Sequence, residues 1–278
     1  MSTAPFVPTP RLLGVDFSSR PTRRKPIVAA EGHRVGEAVH LTGLRMCPDE
    51  TSFMALLREP GPWRGGFDLP FGLPRELVET LGWPTDWHGL MRHYLALDRA
   101  TIRATFAAFC DARPAGGKFA HRACDLPAGS SPSMKWVNPP VAYMLHAGIG
   151  ALLDAGCDLP GLHAGDPSRI ALEAYPGHLA RALIGRASYK SDDQKKQTPD
   201  RDAARAELLH RLETGVPALG LRLVLDDAAR ERLRGDRQGD ALDAVLCLLQ
   251  VAWTLDRPRN GWPDGVDPLE GWIAAVPA

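Results

Sequence analysis

Residues 11–30 read RLLGVDFSSRPTRRKPIVAA. Leu12, Leu13 and Val15 make the apolar run of a buried strand, and the run ends on a carboxylate, Asp16, followed by Ser18 and Ser19. A second apolar run, PIVAAE, follows the polar link SSRPTRRK, and a third segment, AVHLTGLR, follows GHRVGE. Residues 11–17, 26–31 and 38–45 are therefore predicted strands. Their short, turn-rich links predict an antiparallel meander. A charge where a buried strand emerges is either a turn acid bonded to its own backbone or a ligand in a site.

Outward from the meander, CPDETSFMALLREPG reads as a helix capped by Asp49 or Thr51, with Phe53, Leu56 and Leu57 as its apolar stripe. PWRGGFDLPFGLPREL holds a brief strand that also ends on an acid, Asp68, before Pro70 and Pro74 turn the chain away. Residues 87–109 show helical periodicity, and Asn138-Pro139-Pro140 opens another helix that runs to Leu153, with Asn138 as N-cap. Residues 75–165 are expected to form a mostly helical insertion within one domain spanning 1–278. SRIALEAYPGHLARALIG returns to a strand ending at Glu173 or Ala174, then a helix. GDALDAVLCLLQVAWTL is apolar almost all round after its first turn, which predicts a buried helix with Asp240 and Asp243 on one face of its start. The Pro-, Gly- and Trp-rich end is expected to pack as an irregular tail.

Composition limits the function classes. The 278 residues are 44% hydrophobic, enough for a sizeable core, and 33 Lys+Arg balance 33 Asp+Glu. A neutral chain has no global field for nucleic acid, so such binding needs a local patch. Five cysteines without CxxC spacing argue for reduced thiols rather than a disulfide framework or zinc site. Residues 1–10 contain three prolines and no apolar stretch, and no apolar run has membrane-spanning length. A cytoplasmic protein without membrane contact is the expectation.

Asp16, Asp68 and Glu173 each end a strand-like segment, and Asp240 and Asp243 start a buried helix. Carboxylates at neighbouring strand ends converge on one edge of an α/β sheet. Clustered carboxylates repel unless a cation neutralises them, and Mg²⁺ or Mn²⁺ suits hard oxygen ligands. Two such ions ~4 Å apart activate water and stabilise the leaving oxygen of a phosphodiester. Singly, each acid has a plain structural role open to it: an Asx turn for Asp16 or Asp68, an N-cap or dipole partner for Asp240 or Asp243, and a pair with Arg169 or Arg181 for Glu173.

Four blocks in order, GVDFSS, GGFDLPFGLP, LEAYPGHLARALIG with a following lysine, and GDALDAVLCLLQVAW, resemble the DUF429 family of predicted nucleases. The resemblance spans residues 12–253. It implies an α/β, ribonuclease H-like fold: a mixed five-stranded sheet flanked by helices, with the helical insertion between strands 4 and 5. Asp16, Asp68, Glu173 and Asp243 match the family's acidic positions, with Asp240 beside them. The glutamate block, Glu173-Ala174-Tyr175-Pro176-Gly177-His178, lacks the second acid often found there. The implied activity is metal-dependent hydrolysis of nucleic-acid phosphodiesters. Asp16 would bridge the metals, Asp68 and Asp243 complete their ligand sets, and Glu173 or Asp240 bind metal or orient water.

Two groups of basic residues are candidate phosphate contacts: Lys118, His121, Arg122 and Lys135, then Lys190, Lys195, Lys196, Arg201 and Arg205, with Lys190 the preferred catalytic cation. Trp63, Trp83, Trp87 and Trp136 either stack on bases or fill the core. The alternatives are a non-catalytic binding module, which divalent-ion binding would discriminate, and a nucleotide-binding phosphotransferase, which ATP affinity would. The latter lacks a second core and an adenosine motif.

Overall fold

The structure, a computed structural model, describes residues 10–277; the proline-rich start, residues 1–9, lies outside them. The chain is α/β, with a seven-stranded mixed sheet flanked by helices on both faces. Strands β1 (Arg11–Asp16), β2 (Ile27–Val35) and β3 (Ala38–Cys47) form the expected antiparallel meander. β2 runs past the expected end, so GHRV is strand rather than link. After helix α1 (Glu50–Leu57), β4 (Trp63–Asp68) adds parallel to β1. The remaining strands, all parallel to their neighbours, are β5 (Cys157–Asp158), β6 (Asp166–Ala174) and β7 (Arg222–Val224), giving the order β5-β6-β4-β1-β2-β3-β7.

The expected five strands are thus joined by two edge strands. β5 and β7 are two and three residues long, too short for an alternating pattern to show.

Two other expectations change. Residues 87–109 form two helices rather than one. The insertion contains α2 (Arg75–Thr80), α3 (Trp87–Leu95), α4 (Arg99–Asp111), α5 (Asp125–Ala128) and α6 (Val141–Asp154). Asp98 breaks the run because its carboxylate caps α4 through the Thr101 N–H, 2.7 Å away. Asn138 does not cap α6, whose N-cap position is Pro140 without a side-chain cap. Pro139 and Pro140 have no N–H to offer an Asn138 oxygen. Of the two candidate caps of α1, Asp49 is the one used: it accepts from Ser52 N in a reciprocal capping box.

These helices form one layer of the fold. Leu77, Leu90, Tyr94, Ile102, Phe106 and Ile149 join Leu13, Val15 and Phe67 of the sheet and Phe53 of α1 in a single core. Trp63 and Trp87 are buried in that core, and Trp83 and Trp136 pack on it. The opposite face carries α7 (Pro176–Ile184), α8 (Pro199–Thr214), α9 (Asp227–Gly235) and α10 (Asp240–Trp253). All five cysteines are free and buried. No helix of the described residues is long and apolar enough to cross a membrane.

α10 lies directly on β1, β2 and β4, and two glycines permit it. Gly14 and Gly66 are register partners on adjacent strands. A Cβ at Gly14 would stand 2.0 Å from the Ala244 carbonyl oxygen and 2.2 Å from Leu248 N; at Gly66 it would stand 2.8 Å from the Cys247 oxygen. These are backbone atoms, so a side chain must push the helix away. Gly14→Ala is expected to cost about 3 kcal/mol, read as a lower urea midpoint; a loss under about 1 kcal/mol would show that α10 can lift without penalty.

Candidate active site

The glycines also set where the acids point. Side chains alternate along a strand, so Asp16, two residues after Gly14, and Asp68, two after Gly66, face α10. β1 and β4 run parallel with Val15 beside Phe67, which sets the two acids side by side at the carboxyl edge. The first turn of α10 delivers Asp240 and Asp243 to the same place; Asp243 is 0% exposed.

Two of these four carboxylates have a protein cation. Asp243 accepts from Lys190 Nζ and from the Tyr189 hydroxyl. Asp240 accepts from Lys25 Nζ at 2.6 Å, which also holds Asp192 at 2.8 Å. Asp16 and Asp68 accept no hydrogen bond from the described residues. Burial pushes the Asp16 carboxyl well above its ordinary value, and the charges of Asp243 and Asp240 add to it. Burial and then Asp243 push Asp68 up to about 7. Burial opposes the Lys190 charge, but Asp243 and Asp16 outweigh it and push the lysine up.

Glu173 stands apart. It pairs with Phe67 while Ala174 pairs with Asp68, so its side chain leaves the opposite face of the sheet. There Arg122 donates Nη2 to Oε1 at 2.7 Å and Nη1 to Oε2 at 2.8 Å, and Phe71 N donates at 2.9 Å. The same guanidinium holds Asp125 at 2.9 Å and the Glu270 carbonyl at 3.0 Å. Glu173 still reaches Asp68 electrostatically and lines one cavity with it. Neither expected partner is used: Arg169 holds Asp166 at 2.8 Å, and Arg181 donates to the carbonyls of Ala128 and Gly129 at 3.1 Å.

The basic groups also divide. Arg122, at 3% exposure, is a buried structural cation rather than a phosphate contact. Arg205 is buried too, and donates to the Tyr189 carbonyl at 2.8 Å, anchoring the segment that carries Lys190. Lys118, His121, Lys195 and Lys196 are exposed, while Lys135 and Arg201 are half-buried. The β1–β2 link supplies cations that the sequence reading passed over. Arg20, Arg23 and Arg24 are exposed, and no carboxylate of the described residues pairs with them. The signal was present as RPTRRK shortly after Asp16. A groove of about 700 Å³ lined by Ser18, Arg58 and Arg99 lies on one side of this link, and another of about 550 Å³ lined by Arg23, Arg24, Arg232 and Asp240 on the other.

Comparison of this chain with family models, curated proteins and solved structures finds no match.

Among the described residues, no three His, Cys, Asp or Glu side chains form a ready-made metal cage. Asp16 and Asp68 are nevertheless hard oxygen donors without a protein partner, beside an ammonium already drawn into the cluster. That donor set fits a hard divalent cation. A cavity of about 250 Å³ lined by Asp68, Tyr175 and Lys190 and a cleft of about 600 Å³ lined by the same three residues give access from two sides.

The pH response has a definite sign. A carboxyl raised from 3.8 to about 7 in the fold binds more protons folded than unfolded across that window. Its stabilising contribution is complete below the unfolded value and is lost as pH rises through the folded one; Asp16 acts in the same direction. In chelator, the melting temperature should therefore fall between about pH 4 and 7 relative to Asp68→Asn. Millimolar Mg²⁺ or Mn²⁺ should restore it at the upper end. Parallel wild-type and variant profiles would show that Asp68 titrates normally.

Proposed function

We propose that the protein is a divalent-metal-dependent nuclease on a ribonuclease H-like core. The observation that carries this reading is the pair of unpartnered carboxylates, Asp16 and Asp68, side by side at the carboxyl edge of the sheet, with the buried Asp243 of α10 next to them. The strand order supports the core assignment: a β1-β2-β3 meander, then β4 and β6 added parallel on the far side of β1. β5 and β7 extend that core at its edges. The resemblance to DUF429 rests on the same acids in the same order.

Asp16 and Asp68 would hold the cation, and Asp243 orients Lys190 beside them. Lys190, half-exposed at 41% of its side chain, faces the cleft that a phosphate would enter. When bound, a divalent cation supplies charge stabilisation for the phosphodiester and lowers the pKa of a coordinated water. Arg20, Arg23 and Arg24 offset the repulsion between a polyanion and the carboxylates by meeting phosphates that flank the cut. Glu173 belongs to the supporting structure through Arg122 and is not needed as a ligand.

The test is cleavage of single-stranded, duplex and branched DNA and of RNA with Mg²⁺, Mn²⁺ or chelator. Cutting of at least one substrate, abolished by chelator, is expected; no cutting, or cutting indifferent to chelator, overturns the reading. Binding in chelator isolates the arginine link. Replacing Arg23 and Arg24 together by Glu should weaken binding and flatten the salt dependence by ~0.9 in log–log slope for each phosphate that is no longer neutralised. An unchanged slope would place the nucleic acid elsewhere.

A further inference from the structure

Each of the five carboxylates that the sequence nominates as a metal ligand can be assigned a charge partner or none. Glu173 has Arg122, at 2.7 Å. Asp240 has Lys25, at 2.6 Å. Asp243 has Lys190. Among the described residues, Asp16 and Asp68 have no cation of their own within ion-pair distance. Two carboxylates remain uncompensated, and two negative charges are neutralised by one divalent cation, whereas a second would leave the site with excess positive charge.

From this geometry we infer that Lys190 takes the place of a second metal ion, so that the site binds a single divalent cation. The inference rests on the metal-dependent reading of the site and specifies it. Lys190 is built into this position. Its stem packs against Gly239, where a Cβ would come within 2.7 Å of the Lys190 Cβ, and Gly239 is the left-handed residue (φ 80°) that starts α10. Tyr189 occupies the other Asp243 oxygen, so the ammonium is held to Oδ2. Arg205 donates to the Tyr189 carbonyl at 2.8 Å and so fixes the neighbouring backbone. Asp243 therefore serves as the counter-ion of Lys190 and not as a free ligand. Asp243 is fully buried behind the ammonium while Lys190 is 41% exposed, so the outward side of the ammonium stays beside Asp68 at the cleft as a fixed positive charge. There it does what the second ion of a two-metal site does electrostatically: it stabilises negative charge developing on a phosphate.

Titration calorimetry with Mn²⁺, on folded protein verified by circular dichroism, reads the stoichiometry without any substrate. Wild type should bind one ion. Lys190→Gln removes the fixed charge and frees Asp243, so it should bind two, the first at least ~10-fold tighter than in wild type. Lys190→Arg keeps the charge and should still bind one. Two ions on wild type would overturn the inference and leave the metal-dependent reading standing. No ion on wild type would overturn both. One ion on Lys190→Gln, with unchanged affinity, would show that Lys190 only packs against α10.

Discussion

Asp16→Asn is expected to abolish divalent-dependent cleavage and, in chelator, to make the protein more stable than wild type. The two effects have one cause. Asp16 sits at the end of β1 with no hydrogen-bond donor among the described residues, beside Asp68 and near Asp243 and Asp240, whose charges push its proton affinity up. Asparagine keeps the shape and removes the charge. Without a cation, about 1 kcal/mol of relieved repulsion raises the melting temperature of a domain this size by roughly 2–4 °C. With Mg²⁺ or Mn²⁺, the rise seen in wild type should shrink, because the variant has lost half of the uncompensated charge that attracts the ion. Removing one electrostatic partner of a transition state commonly costs ~10²–10³ in rate, and loss of a ligand should cost at least that. A variant that cuts like wild type would make Asp16 a turn residue. One that is destabilised in chelator would show that its charge is satisfied in a way the geometry does not offer.

Arg122→Ala should bring the fold close to failure. Arg122 is the cation of a buried hub that joins the insertion through Asp125, the sheet through Glu173 and the C-terminal segment through the Glu270 carbonyl. Asp125 is 0% exposed and Glu173 4%. Breaking a buried pair leaves an uncompensated charge and costs about 3–5 kcal/mol; here two carboxylates lose their partner. Total stabilities of about 5–15 kcal/mol are usual, so the expected result is a large drop in urea midpoint or failure to accumulate folded protein. Arg122→Lys should not rescue it, because one ammonium cannot reproduce the forked contacts to Glu173 and Asp125. Burial already holds the Glu173 carboxyl up and Arg122 opposes that shift, so without Arg122 it rises further, and the variant's deficit should be smallest at low pH and grow as pH rises. A loss under about 1 kcal/mol, flat with pH, would mean that the hub is solvated.

Much of this arrangement was legible along the chain. The meander followed from three apolar runs with polar links, because strand formation and tight turns are local. The placement of Asp16 and Asp68 at strand ends followed from apolar runs that stop at an acid and meet Ser-Ser or Leu-Pro. The burial of α10 followed from a helix without a polar face. The resemblance in four blocks brought the same acids together in order, and the fold sets Asp16 and Asp68 on one edge.

What tertiary structure alone decided is which charge meets which. Lys25 and Asp240 are 215 residues apart, Lys190 and Asp243 are 53, and Arg122 and Glu173 are 51. No periodicity links such positions, since the pattern within an element tells only which of its own faces is buried. The face of Glu173 relative to Asp68 was equally hidden. Alternation fixes each strand's parity, but the relation between two strands depends on register, and a shift of one residue would have turned Glu173 toward α10. Sequence by itself therefore determined the elements and the acids at their ends. Packing decided that three of those acids are neutralised by protein cations and that Asp16 and Asp68 are left, because ion pairs form between groups brought within about 3 Å in space, wherever they lie in the chain.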